Sequence, residues 1–463
     1  MRMRVFRYLF LILFLGCGAE AWAQFDQERF GKNRVQHKEF SWYFYTSANF
    51  EVYYYDKGGV NAKMAIEFLE SEFNKLTQNI GYVAYTKPRI YLYNSPEERL
   101  QSNLDLNAQQ YTEEGQTKFT RLAAEVAYKG RMDLFKEDLL FATSKVIIRE
   151  MLYGASVADA FQANLITNFP DWYVDGIANY LAKGWSREMD DYIRRYLKNT
   201  SNPKLHTLTD LEAGLVGQSI WNYIAEKYGR RYVSSILNLS RINRSEENSI
   251  ANTIGINIKS FLADWQQFYL KVNEPVYNNF KTLDSKKAIA RTSSRVDGAI
   301  TDVKFSPDGL HLAYVLNNAG KATVWVRDLA SGNQQRIYQG GSKHEELPPN
   351  LHAPVIAWRD SATLAIATFK RGFTTLRQLS LDGSSQDKVF LRNITQILSF
   401  DFNESGRNMV LSAISNGKTD LYTLNVRGQG NRITDNVFDE LTPVFLNDST
   451  IIYSSNFLEL PDS

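Results

Sequence analysis

The chain of 463 residues contains one cysteine, Cys17, and only five histidines. Cys17 falls in the amino-terminal segment discussed below, so no intramolecular disulfide can form and stability must come from packing. No two of His37, His206, His311, His344 and His352 stand four residues apart, which excludes an H-E-x-x-H grip on zinc from one helical face. Charge of one sign is scarce as well: 53 Lys and Arg oppose 51 Asp and Glu, without a long run of either. That balance argues against a nucleic-acid partner. There is no phosphate-binding loop and no dinucleotide fingerprint. No apolar run reaches the ~18 to 20 residues of a membrane span.

What is present begins with a targeting pattern. Arg2, Arg4 and Arg7 precede the run YLFLILFLG, and Ala21-Trp22-Ala23 follows before Gln24. This is the pattern of a secretory signal peptide over residues 1–23. The competing reading is a lipid-modified Cys17, since FLGC is a loose lipobox. Either way the protein is expected to be exported, periplasmic or held at the outer membrane. Without the signal, 50 basic residues face 50 acidic ones. With 44% hydrophobic and 13% aromatic residues, the chain can bury more than one core.

Residues 36–95 alternate between strand and helix. FEVYYYD (50–56) and RIYLYN (89–94) have strand composition, Ala65, Leu69, Phe73 and Leu76 recur at helical spacing, and Ser95-Pro96 opens a short helix. A further strand is expected within 118–129 and a long apolar helix over 134–153. Helices are then predicted at 171–183, 186–198, 217–228, 231–240 and 258–271, with Trp221 and Trp265 as core. After Pro275 short strands and turns take over, and the aromatics Phe305, Trp358, Phe402 and Phe445 are spaced by 53, 44 and 43 residues. That spacing is near the ~40 to 50 residue period of propeller blades. Three blades and a fraction are read over 290–463, fewer than the ~4 to 8 of a closed ring, so the propeller is expected to be incomplete in this chain.

Two stretches carry the chemistry. VIIREMLYG (146–154) sets Arg149-Glu150-Met151-Leu152-Tyr153 in the frame of H-E-x-x-H, and FPDWYVDGIANYLA (169–182) follows. The pair resembles the active site of the peptidase MA family of gluzincins, whose second helix carries P-x-W-x-x-E-G-x-A-x-Y. Pro170, Trp172, Gly176, Ala178 and Tyr180 match that pattern, with Asp175 in place of the glutamate. The later SIWNYIAEKYGRRYVSSILNL and TIGINIKSFLADWQQFYL resemble the family's helical subdomain, so the likeness covers 36–272. The repeats with their SPDG turn resemble TolB-like propellers. The expected fold is therefore an α+β zincin-like domain with a helical subdomain, followed by an all-β propeller.

The resemblance implies a zinc peptidase, but both ligand histidines are replaced, by Arg149 and Tyr153, and arginine cannot bind zinc. Glu150 keeps the general-base position and Asp175 is one methylene shorter than the family's ligand. No metal or cofactor is expected. A two-pronged Arg149–Asp175 hydrogen bond is expected to stand in for zinc, completed by Tyr153. A groove near Trp172, Asp175 and Tyr180 is expected to bind an extended protein or peptide partner, in an envelope complex. The alternatives are a hydrolase, either an atypical metallopeptidase using Glu150, Asp175 and His37 or His206, or one with chemistry beyond residue 463, and a purely structural surface protein. GQSIW (217–221) lacks the last glycine of a nucleophile elbow, and Asp190-Asp191 reads as a solvated helix face.

Overall fold

The computed structural model describes residues 38–102, 123–154, 169–200, 203–280, 288–289, 298–318, 320–341, 353–370, 373–384 and 386–457. The expected signal peptide, Cys17, His37, His344 and His352 lie outside them.

An α/β layer comes first: β1 (Tyr43–Thr46), β2 (Glu51–Tyr54), α1 (Gly59–Ile80), β3 (Arg89–Tyr93), α2 (Pro96–Arg99) and β4 (Ala123–Ala127). The sheet runs β1-β2-β3-β4, antiparallel between β1 and β2 and parallel thereafter. Strand alternation sends Val52, Ile90, Leu92 and Val126 to one face, where they meet Ala62, Ala65 and Leu69 of α1. Phe40 and Trp42 cover part of the other face, edge-on to Tyr55 and Tyr93. Ser95 caps α2 by accepting from the Glu98 N–H at 3.2 Å.

The helical part follows as α3 (Met132–Tyr153), α4 (Asp171–Lys183), α5 (Arg187–Asn199), α6 (Asp210–Lys227), α7 (Arg231–Asn243), α8 (Glu246–Ile254) and α9 (Ile258–Asn279). α6 starts seven residues before its predicted position, and α9 continues through Pro275, where a missing N–H costs one bond near the helix end. α8, capped by Ser245, was not predicted from sequence, because its nine residues offer only Ile250, Ala251 and Ile254 as apolar positions. Trp172, Trp221 and Trp265 are buried at the centre. The Trp221 indole donates to the Tyr173 carbonyl at 3.1 Å, and that of Trp265 to Ser219 Oγ at 3.2 Å.

After α9 the described residues form three four-stranded antiparallel meanders and a hairpin. The first is β5 (Ala299–Phe305), β6 (His311–Asn318), β7 (Lys321–Asp328) and β8 (Gln334–Gly340). The second is β9 (Val355–Asp360), β10 (Thr363–Lys370), β11 (Phe373–Ser380) and β12 (Gln386–Leu391). The third is β13 (Gln396–Phe402), β14 (Asn408–Ser415), β15 (Lys418–Asn425) and β16 (Gly430–Arg432), and the hairpin is β17 (Glu440–Phe445) and β18 (Ile451–Ser455). First strands of successive sheets lie side by side. Ile356 N–H donates to Asp302 Oδ2 at 3.0 Å, the Trp358 indole to the Lys304 carbonyl at 3.1 Å, and Phe445 N–H to Asp401 Oδ2 at 3.0 Å. Sheets joined through their first strands give a propeller-type arrangement.

The third sheet docks on the α/β layer. Ile414 at the end of β14 is buried in the core of that layer, beside Tyr128, Phe135 and Leu139. Asn61 donates to the Gly417 carbonyl at 2.6 Å and Thr419 Oγ1 to the Gly130 carbonyl at 2.9 Å. Buried Asp439 accepts from the Tyr128 hydroxyl at 2.8 Å and from Met132 N–H at 2.6 Å. Burial pushes the Tyr128 hydroxyl well above its ordinary pKa, so it remains a donor. Asp439→Ala strands both donors and should cost about 2–3 kcal/mol. In scanning calorimetry the variant should melt in two separate steps where the parent melts in one; an unchanged single step would mean that Ile414 suffices to join the parts.

Candidate functional site

Lys145, Arg149 and Tyr153 follow one another at four-residue intervals on α3 and so share a face. That face looks toward α4. Lys145 Nζ stands 2.6 Å from Asp175 Oδ1, with the two side chains 22% and 16% exposed. Burial and the neighbouring Arg149 cation push the Lys145 ammonium below its ordinary pKa, against the pull of Asp175. The expected two-pronged Arg149–Asp175 bond is therefore corrected. Among the described residues Arg149 makes no hydrogen bond or ion pair, and the Asp175 carboxylate is held by Lys145, one helical turn earlier. Burial lowers the Arg149 pKa while Asp175, Tyr153 and Asp171 raise it, and the guanidinium stays charged. Burial likewise raises the carboxyl of Asp171, on the first turn of α4.

Tyr153 does not complete a network with Arg149 and Asp175. Its hydroxyl accepts from Phe169 N–H at 3.0 Å, and its ring meets that of Phe169 edge-on.

Glu150 lies one residue on from Arg149, ~100° around the helix axis. Its side chain is buried against the segment after α1, accepting from the Tyr82 hydroxyl at 3.1 Å, Tyr85 N–H at 2.5 Å and Thr86 Oγ1 at 2.7 Å. The carboxylate in the general-base position thus anchors residues 82–86. Zinc does not fit this constellation. Its first two positions are Arg149 and Tyr153, and an ammonium already occupies the third. Among the described residues no group of three or more His, Cys, Asp or Glu is placed to hold a metal ion.

The expected groove at Trp172, Asp175 and Tyr180 also needs correction. Trp172 is 1% exposed within the helical core, and Tyr180 packs half-buried against that core. Gly176, from the same motif, has a packing role. A Cβ on it would lie 2.5 Å from the Gly217 backbone, and one on Gly217 would lie 1.8 Å from the Trp172 carbonyl oxygen. α4 and α6 therefore cross backbone to backbone at these two glycines. Ser219 of GQSIW lies inside α6, fully buried, donating to the Val216 carbonyl at 2.6 Å. Asp190 accepts from the Trp185 indole at 2.8 Å, and Asp191 pairs with Arg194. His206 pairs with Glu247 at 3.0 Å, far along the chain from the α3 frame.

An open cavity of about 610 Å³ lies where β5, β9, β13 and β17 end. The four aromatics that marked the repeat, Phe305, Trp358, Phe402 and Phe445, all line it. Lys304, Arg359, Asp401 and Glu404 add charge of both signs. Arg359 is tied to the Gly406 carbonyl at 3.1 Å and to Gln378 at 3.0 Å, and Asp401 to Phe445 N–H. Sequence spacing pointed to these rings as blade markers. Their convergence, and the place of Lys304 and Glu404 beside them, depend on how the sheets pack. Lys145 was also missed, although its i−4 position relative to Arg149 was a usable signal.

No protein-family model matches the chain, and no curated protein matches it in sequence. Among solved structures it is similar to TolB from Acinetobacter baumannii, at 15% identity and a TM-score of 0.27, over 35% of this chain and 41% of that one. It is similar to a puromycin-hydrolyzing peptidase of Mycobacterium tuberculosis at 16% identity and TM-score 0.26, over 34% of this chain and 25% of the other. The β-propeller domain of the Trilobed protease from Pyrococcus furiosus gives 13% identity and TM-score 0.24, over 36% and 56%. The chain thus spans about two-fifths of the TolB structure it matches. These neighbours include TolB-like β-propeller proteins, and nothing among them shows a peptidase MA domain. Likenesses this slight carry no argument about activity. Among the described residues no helix is long and apolar enough to cross a membrane.

The Lys145–Asp175 pair makes a ranking of variants testable. Lys145→Met leaves a partly buried carboxylate without its cation and should cost about 2–4 kcal/mol. Arg149→Met removes a cation that bonds to nothing described and should change stability by about 1 kcal/mol or less. Thermal melts of the two variants give the comparison, and the reverse order would return Arg149 to the role of clamp.

Proposed function

We propose that this protein is an exported, catalytically inactive metallopeptidase-like protein that works as a protein- or peptide-binding scaffold in the cell envelope. The observation that carries the reading is the state of Glu150. A general base must hold its carboxylate free to take a proton from water, and here both oxygens accept from Tyr82, Tyr85 and Thr86. The Lys145 ammonium on Asp175 supports the same conclusion, because a cation stands where the family's third ligand would meet the metal. The old reactive positions now serve packing between α3, α4 and the segment after α1.

The binding role is supported by the cavity at the ends of the inner strands. It offers five aromatic rings with Lys304 and Glu404 beside them, a mixture suited to an extended peptide with apolar side chains and a charge. The export signal of residues 1–23 and the even charge balance fit a partner in the periplasm or at the outer membrane.

Peptides selected from a random display library against the purified protein should include some with micromolar affinity. Lys304→Glu should weaken them at least tenfold, about 1.4 kcal/mol, with the melting temperature unchanged. Cleavage of a bound peptide would overturn the inactive reading. So would one equivalent of zinc retained after dialysis and lost in Asp175→Ala.

A further inference from the structure

The most exposed aromatic cluster of the α/β layer lies on β1, away from both places described above. Tyr43, Phe44 and Tyr45 are 57%, 56% and 39% exposed, although each belongs to a strand with regular pairing to β2. Among the described residues β1 pairs with β2 alone, and no described strand lies along its other edge. Half of the backbone N–H and C=O groups of an edge strand point away from its neighbour.

Edges of this kind are ordinarily guarded by lysine, proline or a bulge. The run SWYFYTSANF (41–50) has neither a charged residue nor a proline, and the register of β1 with β2 is unbroken from Tyr43–Tyr54 to Thr46–Glu51. Lys87 is bonded to the Ser47 carbonyl at 2.7 Å and reaches Thr46 Oγ1 at 3.5 Å, at the opposite end of the strand from Tyr43.

The rings are arranged in ladders across the sheet. On one face Phe44 stacks on Tyr53 at 5.4 Å and Tyr53 on Tyr91 at 4.5 Å, with interplanar angles of 29° and 12°. On the other face Tyr43 and Tyr45 flank Tyr54 at 5.9 and 4.9 Å. Both ladders end at β1 with an uncovered ring. We propose that β1 pairs antiparallel with β1 of a second copy of this chain, about a two-fold axis that passes midway between the two Phe44 residues, perpendicular to the sheet. In this register Phe44 faces Phe44 of the second copy, and Tyr43 faces its Tyr45. Because opposed residues in an antiparallel pair share a face, each ladder runs on into the other subunit without a break. Like charges do not meet across the axis, since 41–50 carries none. A two-fold contact closes on itself, so it consumes the β1 edges of both copies together.

An interface built on one four-residue strand is small beside the ~1,200–2,000 Å² of standard complexes, so the dimer should dissociate on dilution. Sedimentation equilibrium of the purified protein should show a monomer–dimer equilibrium with a micromolar Kd. Phe44→Lys sets two ammonium groups face to face and should give monomer with an unchanged melting temperature, Phe44→Tyr should keep the dimer, and Leu310→Lys, at an exposed apolar residue of the β5–β6 turn, should leave it intact. Mixing Phe44→Lys with Phe44→Glu should restore a heterodimer in native mass spectrometry, because only this register opposes position 44 to itself. The proposal is overturned by a parent protein that stays monomeric up to about 100 μM, well above the expected Kd. A dimer that survives Phe44→Lys, or a charge-swapped mixture that stays monomeric, overturns it equally.

Discussion

The crossing of α4 and α6 at Gly176 and Gly217 is the contact on which the helical part turns. With no side chain at either position, one backbone rests on the other, and a single added Cβ would fall within 1.8 Å of the Trp172 carbonyl oxygen. So close an approach orients α4 with little freedom. It drives Trp172 into the core, brings the Tyr173 carbonyl within reach of the Trp221 indole, and leaves Asp171 and Asp175 on the side facing α3. The glycine of the motif is therefore explained by packing, whether or not the chain has any chemistry to perform.

Against that fixed helix, α3 presents two polar faces with separate duties. One carries Lys145, Arg149 and Tyr153, and it balances the carboxylates of α4 through Lys145. The other carries Glu150, which ties the loop after α1 to the helical core through three donors. A reactive constellation needs these groups to converge on one point. Here they diverge around the helix axis, and each is satisfied locally, apart from Arg149, whose charge is balanced only at longer range.

The sheets after α9 form a second body joined to the first by a mixed contact. Ile414 supplies apolar burial and Asp439 supplies direction, since a carboxylate that accepts from both the Tyr128 hydroxyl and Met132 N–H fixes where the start of the β17–β18 hairpin must sit. Docking takes place on the α/β layer near β4, so the cavity at the inner strand ends and the α3–α4 face remain distinct places on the molecule.

Periodicity alone determined much of this arrangement. The helix over 171–183 agrees with Asp171–Lys183, the apolar spacing of 65, 69 and 76 matches the buried face of α1, and the repeated aromatics mark the first strands of four successive sheets. These features are local: a helix face or a strand's alternation is set by residues within a turn or two of one another. The partner of Asp175 was decided only by tertiary structure, because Lys145 and Arg149 lie on the same stripe and the packing of α3 on α4 selects which cation reaches the carboxylate. The same holds for Glu150, whose partners come from about 65 residues earlier in the chain, and for β1, too short at four residues to show a period. Motif residues mark which positions share a helix face; which atoms meet across it is decided by how rigid helices and sheets come to rest on each other.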